Sequence, residues 1–231
     1  LGEAVSKYGR VLSAANEGYA MPYGNDALTV AAVAAIRDTF AAPGAEVLFV
    51  GNGTVANSLL LSALSRPWET VFCAPHAHIH EDECAAPEFF GHGLKLTPVP
   101  GATDKVRPRA LAETLDHATG GSIHSVAPGP VSLTQATERG TVYSLGDLRE
   151  LSDIAHAHGL PVHMDGARFA NAVASLGCTP AEMTHLAGID ALSFGGTKNG
   201  LMGVEAMVVF NPDRAPGLAR LRKRGGQLFS K

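Results

Sequence analysis

Three short blocks of the chain set reactive side chains beside glycine-rich turns. The first is Phe49-Val-Gly-Asn-Gly-Thr-Val-Ala-Asn57. An apolar strand-like run ends, two glycines follow, and the pattern predicts a helix from Thr54. Unpaired N–H groups at a helix start attract a phosphate, and a threonine hydroxyl adds a donor, so Gly53 and Thr54 are candidate phosphate ligands. The same letters fit the Gly-x-Gly-x-x-Ala turn of dinucleotide-binding folds. That alternative needs an acid at the end of the next strand, roughly 20 residues on. The next predicted strand, 70–74, leads into Pro75-His76 and offers no acid there. A glycine turn that binds nothing is the third reading.

The second block is Val162-His-Met-Asp-Gly-Ala-Arg168. It sets Asp165 at the carboxyl end of a buried strand, where open α/β sheets gather ligands. A lone carboxylate there is costly unless something pairs with it. Arg168 could do so in a purely structural ion pair. The third block, Leu192-Ser-Phe-Gly-Gly-Thr-Lys-Asn-Gly200, ends another strand and puts Lys198 in a turn, where lysines are ordinarily solvated. The order of the three is informative. A phosphate cup, an acid after one strand and a lysine after another are what pyridoxal phosphate needs. The cup takes the phosphate, the acid keeps the pyridine nitrogen protonated, and the lysine forms the Schiff base.

The elements that must position these blocks alternate between helix and strand. Helical spacing predicts helices over 3–17, 26–42, 56–64, 110–117, 145–158 and 167–176. Continuously apolar runs predict strands over 47–50, 70–74, 94–99, 122–127, 161–165, 191–194 and 204–210. Apolar strands separated by helices imply an α/β fold, a mostly parallel sheet sandwiched by helices. The 231 residues are 45% hydrophobic and 17% charged, which suits a folded globular chain and not a disordered one. A net charge of −4 gives no reason to expect a nucleic-acid surface. Cys73, Cys84 and Cys178 have no metal or redox spacing and read as free thiols of a reducing, cytoplasmic setting. No apolar run approaches the roughly 18 residues of a membrane span. A first residue that is Leu1, and a pattern that stops at Ser230-Lys231, lead us to expect a fragment.

Four motifs in order and spacing resemble the threonine aldolase (β-eliminating lyase) family of fold-type I pyridoxal-phosphate enzymes. They are Tyr23-Gly-x-Asp26-x-x-Thr29, Gly53-Thr-x-Ala-Asn57, His163-Met-Asp-Gly-Ala-Arg168 and Thr197-Lys-Asn-Gly200. Gly140-Thr-Val-Tyr-Ser144 before a helix matches too. Thr-Lys-Asn-Gly together with Lys223-Arg-Gly-Gly226 is similar to the bacterial low-specificity L-threonine aldolases. The resemblance implies the large domain of fold type I and makes Lys198 the Schiff-base lysine and Asp165 the pyridinium partner. Arg168 would bind the cofactor O3′ or the substrate carboxylate, and Gly53 and Thr54 the phosphate. His78, with Glu83 at the family's spacing, would stack on the ring. The alternation of His76, His78 and His80 also suits an exposed strand edge or a loop. His124 would be a second active-site histidine, and Lys223 would reach a phosphate in the neighbouring subunit. No metal is implied.

By the same resemblance, residues 1–25 are an N-terminal segment lacking the family's first strand. Residues 26–213 are the cofactor domain, and 214–231 begin a connection to a small domain that the chain does not include. The expected reaction splits L-threonine or L-allo-threonine into glycine and an aldehyde, with His78, His124 or a water as base. The expected assembly is a homodimer or homotetramer. Another reaction on the same scaffold, β-elimination or transamination, is the first alternative. An inactive cofactor-binding or dimerisation fragment is the second.

Overall fold

The computed structural model describes residues 2–230 apart from 102 and 120. Helices α1 (Gly2–Ala15) and α2 (Ala27–Thr39) come first, and β1 (Glu46–Val50) follows. The chain continues through α3 (Gly53–Leu64), β2 (Glu69–Cys73), α4 (His78–Glu81), α5 (Ala86–Phe90), β3 (Lys95–Pro98), α6 (Pro108–Thr119) and β4 (Ala127–Thr134). It closes with α7 (Leu145–Ala157), β5 (Val162–Gly166), α8 (Phe169–Leu176), α9 (Pro180–Met183), β6 (Ala191–Gly195), β7 (Glu205–Val209) and α10 (Leu218–Arg224).

The strands form a seven-stranded sheet in the order β1-β7-β6-β5-β4-β2-β3. β7 runs antiparallel to both β1 and β6, and the pairs from β6 to β3 are parallel. The expected mostly parallel sheet is therefore present. Its pairing brings the ends that matter to one edge. Glu205 at the start of β7 faces Val50 at the end of β1 and Gly195 at the end of β6. Thr134 pairs with Asp165, and Asp165 with Ser193, so β4 and β5 finish at that same edge.

Local chemistry sets the helix starts. Asp26 accepts the Thr29 N–H at 2.8 Å, and Asn52 accepts the Val55 N–H at 2.9 Å, which starts α3 at Gly53, one residue before the predicted point. Ser144 and Asp147 exchange hydrogen bonds in a capping box at α7. Against β6, the Phe40 ring packs on Phe169, Phe194 and Phe210 with centroids 5.4, 5.2 and 5.6 Å away. Phe194 lies in β6, the strand that leads into the lysine turn, and Phe169 opens α8 directly after Arg168, so this cluster ties that strand to that helix.

One strand differs from expectation. The predicted strand 122–127 is a turn over most of its length, with Ser125 N–H donating to Ser122 O at 3.0 Å, and β4 begins only at Ala127. Pro128, Gly129 and Pro130 read as strand breakers, yet they lie inside β4. The register between β2 and β4 shifts between Thr70 and Phe72, and prolines are tolerated at such irregularities. Gly129 is needed there, because a Cβ would come within 2.8 Å of Thr70 O.

Candidate active site

Asp165 forms the floor of a cleft at the carboxyl edge. It is buried, and each oxygen is held by an N–H: Oδ1 accepts from Ala167 at 2.9 Å and Oδ2 from the Asn57 amide at 2.9 Å. Among the described residues no ion pair joins Asp165 to Arg168, so the structural-pair reading of that block is not what is seen. Arg168 precedes α8 and lines the same cavity as Asp165.

The Lys198 turn is built by close backbone approach. A Cβ on Gly195 would collide with the Ala167 backbone, and one on Gly196 with Val204 O. Buried Glu205 accepts the Gly196 N–H at 2.7 Å, and Asn199 donates to Gly195 O at 2.7 Å. These contacts hold the loop while leaving Lys198 itself exposed on the cleft wall.

His78 opens the single turn α4, which removes the exposed-strand alternative. Its backbone N–H donates to Glu138 Oε1 at 2.8 Å, and its Nδ1 lies 2.8 Å from Glu83 Oε1. The Glu83 hydrogen bond raises the imidazole above its usual range, against the opposing effect of partial burial. Burial likewise pushes up the Glu83 carboxyl, opposed by hydrogen bonds from His78 and Asn57, and burial pushes up Glu138. Asn57 Nδ2 also donates to Glu83 Oε1 at 2.7 Å. The result is a continuous polar chain in which buried Asp165, Asn57 and Glu83 lead to half-buried His78.

These groups surround a cavity of about 290 Å³, and Gly53, Thr54, His78, Asp165, Arg168 and Lys198 all line it. The first-turn amides of α3 have no partner within the helix, and Asn52 takes only that of Val55. Gly53 and Thr54 therefore present donors to the cavity they line. An acid whose two oxygens are anchored by N–H groups, a helix start and a lysine on one cleft match the donor set that pyridoxal phosphate needs.

Two predicted residues are not brought to this cavity. His124 sits on the exposed turn before β4, at the amino edge of the sheet, and the length of β4 separates it from Asp165 by on the order of 20 Å. The physical reason is the misplaced strand: with β4 at 127–134, residue 124 falls at the wrong end. Lys223 lies on α10, its Nζ 5.5 Å from the centroid of the Tyr23 ring, and is not among the cavity's lining residues. Three supporting residues were missed. Asn57 was visible in its motif but had no assigned partner, and Glu205 opens a strand in a position that reads as polar punctuation. Glu138 was hidden by the β4 error, since the carboxyl-end rule applied to 127–134 points at the segment after Thr134.

Residues 8–230 match the family model described as "Beta-eliminating lyase". The chain belongs to the beta-eliminating lyase family. Within and around that family, it is 45% identical over 217 residues to the low specificity L-threonine aldolase of a Pseudomonas strain, covering 94% of this chain and 62% of that protein. The corresponding Pseudomonas aeruginosa protein is 44% identical over 220 residues, covering 95% and 63%. The chain thus spans under two thirds of the length of these relatives. A solved Leishmania major threonine aldolase superposes with a TM-score of 0.88 at 32% identity, covering 98% of this chain and 65% of that one. A putative L-allo-threonine aldolase from Listeria monocytogenes, at 16% identity and a TM-score of 0.73, shares the fold. The fold of this lyase-family chain is that of fold-type I enzymes.

Proposed function

We propose that the protein is a pyridoxal-phosphate-dependent carbon–carbon lyase that cleaves L-threonine or L-allo-threonine to glycine and acetaldehyde. The observation that carries this reading is the convergence of Lys198, Asp165, Arg168 and His78 on one cavity at the carboxyl edge. The names of the relatives support the choice of substrate. Bound pyridoxal phosphate supplies an electron sink for a bond broken at the α-carbon. Lys198 tethers the cofactor through Nζ, and Asp165 keeps its ring nitrogen protonated. The Gly53 and Thr54 amides and the Thr54 hydroxyl hold its phosphate. Arg168 binds the substrate carboxylate or the cofactor hydroxyl. His78 accepts the β-hydroxyl proton at Nε2, the ring nitrogen opposite its bond to Glu83. As that proton leaves, the aldehyde C=O forms and Cα–Cβ breaks with its electron pair left on the Cα side, and a proton from His78 or water returned to Cα would complete glycine.

In this reading the protein works in the cytoplasm as a homodimer or homotetramer, and Lys223 reaches a phosphate bound by the neighbouring subunit. Tyr19, Met21, Leu201 and Met202 are large apolar side chains left exposed and available to such a contact. Among the described residues no helix is long and apolar enough to cross a membrane. The three cysteines are unpaired.

The test is product analysis. Incubation with pyridoxal phosphate and L-threonine or L-allo-threonine should release acetaldehyde and glycine in equal amounts. Ammonia and 2-oxobutanoate as the main products would replace the aldolase reading with β-elimination. Borohydride should fix the cofactor to Lys198, and a label on another lysine would overturn its assignment.

A further inference from the structure

Asn57 points inward from α3, 2% exposed, between two acids. Its Nδ2 carries two hydrogens, and each has an acceptor: Glu83 Oε1 at 2.7 Å and Asp165 Oδ2 at 2.9 Å. Its Oδ1 is buried and without a partner. With both acids ionised the contacts fix which way the amide faces: turned over, its carbonyl oxygen would meet two carboxylate oxygens with no donor between them. An asparagine that serves two acids and leaves its own oxygen unpaired is a poor choice for stability alone.

Glu83 continues the connection, because the oxygen that takes the Asn57 N–H also takes His78 Nδ1 at 2.8 Å. We infer that Asn57 and Glu83 are positioning residues that join His78 to Asp165 as one unit. Glu83 makes Nδ1 the protonated ring nitrogen and leaves Nε2 for the cleft. Asn57 holds Glu83 in the ionised form that this requires. Without that donor, a buried carboxyl keeps its proton, and His78 loses the anion that anchors it. Asn57 therefore acts on an imidazole it does not touch.

The remaining charged groups facing His78 do not substitute for this link. Glu138 accepts from the His78 backbone, and Asp165 and Lys198 act on His78 only at longer range. The ligand atoms of His78, Glu83 and Asp165 do lie within 4.8 Å of one another, as in a cation cage. The Asn57 amide hydrogens already fill the space between the two acids, so the arrangement serves the hydrogen-bonded chain. What Nε2 acts on rests on the proposed lyase reaction; the link is a property of the chain's own groups.

The experiment reads His78 directly. In protein carrying 15N-labelled histidine, with and without pyridoxal phosphate, the ring nitrogens report which one holds the proton and at what pH. The wild type should keep its proton on Nδ1 while Nε2 titrates, with a midpoint above 6.5. Asn57→Leu should lower that midpoint by at least about half a pH unit, and move the acidic limb of kcat/KM the same way with little change in KM. Glu83→Gln should lower it further and end the preference for Nδ1. In the double variant the midpoint should match Glu83→Gln alone, because Asn57 acts through Glu83. An unmoved His78 midpoint in Asn57→Leu, or shifts that simply add, would overturn the inference. If Asn57→Leu does not fold, the nearly isosteric Glu83→Gln still decides it: retained Nδ1 protonation and an unmoved midpoint would overturn it. The titration needs no turnover, so a linked titration supports the connection even if the lyase reaction fails.

Discussion

The two edges of the sheet each carry a histidine beside a cavity, and they could hardly differ more. At the carboxyl edge, His78 has its backbone held by Glu138 and its ring by Glu83, beside a cavity of about 290 Å³ lined by an acid, an arginine and a lysine. At the amino edge, His124 lies exposed on a turn beside a larger cavity of about 510 Å³. Trp68, Ile123, Val126 and Pro128 help to line it, and among the described residues no titratable side chain does. Volume alone therefore does not mark a reactive site. Parallel strands end together, so at one edge several loops deliver polar groups to the same point, and buried partners then fix how each group is aimed.

The largest effect should fall on the lysine. Lys198→Ala should lower turnover by more than about a thousandfold and weaken cofactor retention, measured by activity and by the visible absorption of the bound cofactor. Asp165→Asn should keep the cofactor and still lose most activity, because an amide does not hold the ring nitrogen protonated. Wild-type turnover in either variant would reduce the carboxyl edge to the status of the amino edge.

Packing sharpens the same contrast. Phe40 is fully buried at the centre of the aromatic cluster, whereas Trp68 is 60% exposed at the amino edge. Phe40→Ala should cost about 3–5 kcal/mol in urea unfolding, and Trp68→Ala about 0.5 kcal/mol or less. Equal losses would mean that the aromatic cluster does not tie β6 to α8.

Next come the histidines themselves. His78→Asn should slow cleavage roughly a hundredfold and change the balance of aldol cleavage, transamination and racemisation, while His124→Asn should behave as wild type. Comparable losses of kcat in the two variants would break the comparison outright.

The smallest effect concerns a third histidine, inside the sheet. His163 is fully buried between Ser132 Oγ at 2.9 Å and Ser193 Oγ at 3.0 Å, and burial pushes its imidazole down to about 4. It is neutral when folded, while the unfolded chain takes up a proton near 6.5. Its contribution is thus complete above pH 6.5 and is lost as pH falls from 6.5 towards 4. We expect about 2 kcal/mol less stability at pH 5 than at pH 8 from this group, absent in His163→Gln, by urea unfolding at each pH.

Residue order alone was enough to identify the three chemical blocks, the alternation of helix and strand, and the ends of the strands that carry Asp165 and Lys198. Those signals are local: apolar runs, glycine turns and capping residues act over a few positions, so they can be read from neighbours along the chain. Three matters were decided only by the folded chain. β4 passes through Pro128-Gly-Pro130 because an irregular register with β2 accommodates a segment that looks like a breaker. That placement sends His124 to the amino edge and brings Glu138 to the carboxyl edge. Asn57, Glu83 and Asp165 meet although they stand 26 and 108 positions apart in Asn57's two hydrogen bonds. Such a meeting depends on which strands pair and in what register, a long-range property that no local pattern encodes.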